Sequence, residues 1–310
     1  MNRRGFALMA SIWLMVAIAS VALEVSWLAR TRRLALLNTI ERDQAWGAAN
    51  AALEHARARL SRQLAVPADP RSTMFPDPWR NAAYASDTVR MGDTRYVFSL
   101  TDDGATLDVN LASVGDLQRL FAACGADDAV ASRLARRVAD WRDADTFPRP
   151  TGAERPDYLA AGARELPRDG PVERVGELGD VLGMPEAVWQ RASPLLSVHG
   201  IGSVNVNAAP REILLSLPGM TEVAADAILT ARRDGASIAS FQEFTDRMPP
   251  SARSGVVQAA PELLRRLSFA SFAVRVRGDA WVDGSPVHVR SEALMVQGGG
   301  TVFVQWRSLR

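Results

Sequence analysis

From Gly5 to Leu23 the chain runs through nineteen consecutive residues without a charge, GFALMASIWLMVAIASVAL. As a helix rising 1.5 Å per residue this run spans roughly 28 Å, close to the ~30 Å hydrocarbon thickness of a bilayer. A core helix of a soluble domain is rarely apolar on every face, so insertion into a membrane is the better reading. Two forms of insertion stay open on hydropathy alone. Arg3, Arg4 and the terminal amine make the basic flank of a secretory signal, with Ala17-Ile18-Ala19 as a small-x-small cleavage site. Arg30, Arg32, Arg33 and Arg42 stand on the other side, so basic residues alone do not set the orientation of a retained span.

The helical pattern continues beyond the apolar run. TRRLALLNTIERDQAWGAANAALEHARARLSRQL holds no proline, and Leu34, Leu37, Ile40, Ala48, Ala52 and His55 recur near helical spacing. One helix of more than fifty residues is expected, membrane-bound in front and packed on a soluble body behind. His55 reads as a packed or surface histidine. Four prolines between residues 67 and 80 end the helix.

Strand character follows in residues 94–101 and 105–111, on either side of Asp102-Asp103-Gly104, and reads as a hairpin with its two carboxylates in solvent. It returns near the end in FASFAVRVRG, SPVHVRSEALMVQG and TVFVQWRSL, where Arg275 and Arg277 alternate with Val274 and Val276 as on a sheet with one wet face. His288 falls on the second of these strands. Three strands alone would be marginal, so the early strands are expected to join the late ones, with the first helix across the sheet. The Leu-, Ala-, Arg- and Pro-rich stretch between them then becomes an inserted helical domain.

The balance of 36 basic and 35 acidic residues excludes a generally basic nucleic-acid binder. A single cysteine, Cys124, excludes an internal disulfide and a thiolate metal cage, and reads as a small buried apolar residue. Three scattered histidines argue against a histidine-rich metal centre. Nucleophile-elbow, Walker, zincin and dinucleotide motifs are absent, and no catalytic residue is assigned.

Two segments carry chemistry. ADWRDADTFPRPTGAERPDYL gathers Asp140, Asp143, Asp145 and Glu154, hard oxygen donors of the kind calcium takes, although not in EF-hand order. Arg142, Arg149 and Arg155 offer the competing reading, an ion-paired turn. VNVNAAPREILLSLPGMTEVAADAILTARR reads as a helix-hairpin-helix with Leu217, Pro218, Gly219, Met220 and Thr221 at its turn. Such turns bind phosphate through backbone N–H groups. Here Thr221 replaces a second glycine, and Glu212, Glu222 and Asp226 weaken the positive field, which favours a structural hairpin over a nucleic-acid site. DVNLASVGDLQRLFAACGADDAVASRLARRVADW echoes it, again with Val-Asn ahead of a helix.

The RRG-FALMA start resembles the leader and first helix of type IV pilin-like proteins. LDVNLAS, DWRDADTFPRPTGAERPDY and SVNVNAAPREILLSLPGM, in that order, resemble the K-type minor pseudopilins of type II secretion systems over nearly the whole chain. The resemblance implies an α+β fold: a type IV pilin-like long N-terminal helix packed on an antiparallel sheet, interrupted by a large, mainly helical inserted domain. The implied boundaries are a prepilin leader at 1–5, a transmembrane part at 6–30, pilin-like segments at 31–112 and 267–310, and the insertion at 113–266. It implies cleavage by prepilin peptidase between Gly5 and Phe6 and methylation of the new amino terminus. It also implies bound calcium and a non-enzymatic place at the tip of a pseudopilus. The chain would be anchored once in the inner membrane, its amino terminus cytoplasmic and its domains periplasmic, with other minor pseudopilins as partners. At Ala10 the chain departs from the usual pilin glutamate, whose carboxylate would pair with a neighbouring subunit's terminal ammonium. Its absence suits an end position rather than a repeating one. The alternative is a membrane-anchored DNA-binding protein of the competence type.

Overall fold

A computed structural model of the chain describes residues 3–64 and 84–310. Helix α1 (Arg3–Leu64) runs unbroken for 62 residues. Its front is long and apolar enough to cross a membrane and is covered by nothing among the described residues, with Trp13 at 70% and Trp27 at 68% exposure. Gly5, Phe6 and Ala10 lie on its first turns, and their surroundings fall outside the described residues. So do the four prolines expected to end the helix.

The chain re-enters as β1 (Tyr84–Ala85), β2 (Val89–Met91) and β3 (Thr94–Asp102), followed by β4 (Leu107–Asp108). Helices α2 (Val114–Ala123), α3 (Asp128–Arg142), α4 (Arg155–Ala160) and α5 (Glu186–Ala192) come next. Two short strands, β5 (Leu196–Ser197) and β6 (Val204–Asn205), precede α6 (Arg211–Ser216), α7 (Glu222–Arg233), α8 (Phe241–Asp246), α9 (Pro250–Gln258) and α10 (Ala260–Leu263). The chain closes with β7 (Leu267–Ser268), β8 (Ala273–Val282), β9 (His288–Gly298) and β10 (Thr301–Leu309).

Strand β3 pairs with β8, and the antiparallel sheet runs β1-β3-β8-β9-β10, with β2 added on β3. The early and late strands therefore share one sheet, and α1 lies across it. Small residues make the close approach work: Ala45, Ala48, Ala49, Ala52 and Ala56 are fully buried against Phe98, Val276, Ala280 and Ala293. A Cβ at Gly278 would come within 3.3 Å of the Ala52 methyl, so the glycine leaves room for the helix. His55 donates to or accepts from the Tyr96 hydroxyl at 3.2 Å and packs on Phe98, a packed histidine.

The hairpin expected around Asp102-Asp103-Gly104 does not form. Strand β3 pairs with β2 and β8, whereas β4 pairs in parallel with β5 in the inserted domain. The two aspartates are also not solvated; each is buried. Asp102 accepts from Gly104 N–H (2.8 Å) and from Asn205 Nδ2 (2.8 Å), and Asp103 accepts from Arg275 Nη2 at 2.7 Å. Local turn chemistry is right, but the carboxylates are claimed by residues over a hundred positions away, and the chain leaves the sheet here instead of folding back. Arg275 is correspondingly buried, so only part of that sheet face is wet.

A second core, separate from the one under α1, fills the inserted domain from Leu107 to Leu263. It is built from two matching units. In the first, Asp108 Oδ1 accepts from Asn110 N–H (2.7 Å), and Asn110 exchanges two 2.9 Å hydrogen bonds with the Val172 backbone. In the second, Asn205 Oδ1 accepts from Asn207 N–H (3.0 Å), and Asn207 exchanges bonds of 2.8 and 2.9 Å with the Ile238 backbone. Each asparagine stands four residues before its helix, α2 or α6. A side-chain amide offers a donor and an acceptor together, which is what an unpaired stretch of backbone needs. The echo heard in the sequence is thus a repeated backbone clamp.

Candidate functional site

The acidic loop hangs from the carboxyl end of α3. Asp140, on its last turn, is fully buried and accepts from Ala153 N–H (2.9 Å) and Arg149 Nη1 (2.6 Å). A Cβ on Gly152 would fall 1.8 Å from Asp140 Oδ2, so glycine lets the loop wrap this carboxylate. Arg149 also pairs with Asp143 through the same nitrogen. Arg149 and the loop N–H thus hold Asp140 in place.

Glu154, the residue before α4, has no such relief. Its side chain is 2% exposed, and neither carboxylate oxygen has a hydrogen-bond partner. Ligand atoms of Asp143, Asp145 and Glu154 lie within 4.8 Å of one another. Burial, then the charges of Asp140, Asp143, Asp169 and Asp145, push the Glu154 carboxyl up to about 7. Asp143 Oδ1 and Asp169 Oδ1 are also buried without partners. Asp145 is exposed, and its Oδ1 accepts from Phe147 N–H at 2.9 Å. Every orphaned side-chain atom of these acidic residues is an acceptor, so what fits among them is a cation. Hard carboxylate oxygens of this kind would suit calcium, and Asp143, Asp145 and Glu154 are the residues that could hold it.

Of the four acidic residues singled out in the sequence, three converge and Asp140 turns to Arg149. Asp169 is not among those four. It sits in Arg168-Asp169-Gly170-Pro171 with a left-handed φ of 53°, and the turn composition is its only local signal.

Comparison with known proteins places this geometry. Residues 97–200, which contain the whole acidic loop and Asp169, match the family described as type II secretion system (T2SS), protein K. That stretch, about a third of the chain, is what the likeness to protein K rests on. A curated relative, type II secretion system protein K of Pectobacterium carotovorum subsp. carotovorum, is 25% identical over 174 residues, which cover 54% of the chain. The match spans about half of that relative, 53% of its length. The fold resembles a chain in the crystal structure of the GspK-GspI-GspJ complex from the enterotoxigenic Escherichia coli type 2 secretion system. The TM-score is 0.67 at 20% identity, over 91% of this chain and 99% of that one. The α+β, pilin-like fold with a helical insertion stands on that likeness.

The helix-hairpin-helix turn has a structural occupation. Leu217 and Pro218 lead from α6 into Gly219, at φ +74°, and Thr221 caps α7 by accepting from Ala224 N–H at 3.2 Å. A Cβ on Gly219 would stand 2.2 Å from the Gly255 carbonyl oxygen of α9. The turn is therefore pressed backbone to backbone on a neighbouring helix. Arg211, at the start of α6, is held by Glu222 and Asp226 and so is neutralised within the unit. Gly219→Ala introduces both a left-handed non-glycine residue and this clash. It should lower unfolding free energy by about 1–3 kcal/mol, read from the urea midpoint at unchanged slope.

Cys124 caps α2 and is buried, and burial pushes its thiol up to about 11, as befits an unreactive packing residue. His288 lies on β9 beside Asp279 (3.3 Å), stacked on Trp281.

Proposed function

We propose that this chain is a non-enzymatic minor pseudopilin placed at the tip of the type II secretion pseudopilus, where it nucleates or caps assembly with other minor pseudopilins and so supports protein export. The observation that carries the reading is the pairing of an uncovered apolar helix with a bulky domain inserted into the sheet it lies across. The front of α1 needs a membrane first and neighbouring helices later, since side chains such as Leu34, Leu36, Leu37 and Ile40 remain exposed beyond the charge-free run. The inserted domain makes stacking of identical subunits awkward, which suits an end position.

On this reading the chain is anchored once in the inner membrane, with its folded part in the periplasm. Prepilin peptidase cuts between Gly5 and Phe6, the new amino terminus is methylated, and Ala10 leaves the chain without the carboxylate that repeating subunits use. The I- and J-type pseudopilins named with the related chain are the partners. Calcium rests on Asp143, Asp145 and Glu154, with Asp169 in reach of the same field. The match of residues 97–200 to protein K supports the assignment, and the neutralised Arg211 within the hairpin unit speaks against the DNA-binding alternative.

The test is co-expression with the I- and J-type pseudopilins of its own secretion system, followed by purification through a tag on this chain. A stoichiometric three-component complex is expected, with no salt-sensitive binding to duplex DNA. Recovery of the chain alone, or DNA affinity that falls steeply with salt, would overturn the reading.

A further inference from the structure

Between the outer face of the sheet and the Val175–Asp180 turn of the inserted domain lies a cleft of 1480 Å³. Small-molecule sites enclose about 300–1,000 Å³, so this space suits a length of polymer. Its two walls differ in sign. On the inserted domain stand Glu165, Glu173, Glu177 and Asp180, with Arg174 as the one lining cation. On the sheet stand Arg275, Arg277, Arg290, Arg307 and Arg310, with Glu292 as the one lining carboxylate.

Part of this charge is satisfied within each wall. Arg168 and Arg174 hold Glu177, Arg168 holds Glu173, and Glu292 holds Arg277 at 3.4 Å and Arg310 at 3.8 Å. Glu165 and Asp180 on one side, and Arg290 and Arg307 on the other, make no ion pair among the described residues. Each wall therefore keeps two charges open to a ligand.

Three lining residues add a polar signal. Arg275 is 4% exposed with an unpartnered Nε, Ser197 is 3% exposed with an unpartnered Oγ, and Trp141 is 2% exposed with an unpartnered Nε1. Arginine Nε and tryptophan Nε1 only donate, and a hydroxyl can, so these residues ask for acceptors such as main-chain carbonyls. The ring of His199, tilted over Trp306 at a centroid distance of 4.8 Å, adds an aromatic ledge.

We infer that the cleft binds an extended polypeptide segment with alternating acidic and basic side chains. Successive side chains of a strand point to opposite sides. One set of carboxylates then meets Arg290 and Arg307, while the intervening ammonium groups meet Glu165 and Asp180. The main chain supplies carbonyl oxygens between them. A polyphosphate backbone satisfies only the sheet wall and is repelled by the other, which favours polypeptide over nucleic acid. The inference is independent of the pseudopilin reading, because it draws on the cleft alone.

The full chain in detergent is titrated into a labelled peptide of roughly ten residues alternating Glu and Lys, and into a block peptide of the same composition. Fluorescence anisotropy should show the alternating peptide binding ~10-fold more tightly or better. Arg290→Glu and Asp180→Lys, both at exposed positions, should each weaken it by ~10-fold without moving the thermal unfolding midpoint. Equal affinity for the two peptides overturns the inference, as does indifference to either substitution or no binding up to roughly millimolar peptide. So does duplex DNA that binds through Arg290 more tightly than the peptide.

Discussion

Gly5→Val is expected to leave the chain uncut: full-length protein stays in the membrane fraction, and none enters an assembled complex. The reasoning is steric and local. A peptidase that cuts after glycine accepts a position with no Cβ, and a β-branched valine both fills that space and stiffens the backbone. The effect should be close to all-or-none, since an uncut leader keeps Arg3 and Arg4 attached to the charge-free run and holds the helix in the bilayer. Mass spectrometry of the amino terminus reads the outcome directly. Wild-type protein should begin with a methylated Phe6, and the variant should retain Met1. A correctly trimmed and methylated variant chain would refute the processing route while leaving the fold untouched.

The long helix and the sheet were legible because their signals are local. A proline-free stretch, without charge from Gly5 to Leu23, gives α1, and alternation in residues 94–101 and from 273 onward gives strands, which is enough to join them into one sheet. The turn at Asp102-Asp103-Gly104 departs from its expected hairpin for the opposite reason. Its composition is that of an exposed turn, while the partners that bury it, Asn205 and Arg275, are distant in sequence. The acidic loop was half legible. Spacing brought Asp140, Asp143, Asp145 and Glu154 together, but not the division by which Arg149 removes Asp140 from the cluster and leaves Glu154 bare. Asp169 comes from a different stretch of chain and has no spacing to betray it. The cleft was invisible, because its walls belong to segments that only the inserted domain's placement brings face to face.

Glu154 gives the sharpest thermodynamic test, because an unpaired buried carboxylate and a calcium ligand behave oppositely with pH. Its folded pKa of about 7 stands above the ordinary 4.5. Between those values the folded chain keeps a proton that the unfolded chain has released. The calcium-free protein is therefore most stable below the unfolded value, and that advantage is lost as pH rises through about 7. The difference is worth about 3 kcal/mol, or roughly 5–10 °C in the unfolding midpoint of a domain of this size. Calcium requires the deprotonated carboxylate, so its stabilising effect should be small near pH 5 and grow toward pH 8. At calcium one hundred-fold above its dissociation constant it should restore about 2.7 kcal/mol. Glu154→Gln removes the charge and keeps the shape. Without calcium at pH 8 it should melt higher than wild type, its pH profile should flatten, and added calcium should barely move it. Scanning calorimetry with chelator and with calcium at both pH values separates the cases. A wild-type midpoint that ignores calcium would leave the cluster an ion-paired acidic turn without a metal, and a Gln variant that responds in full would remove Glu154 from the metal.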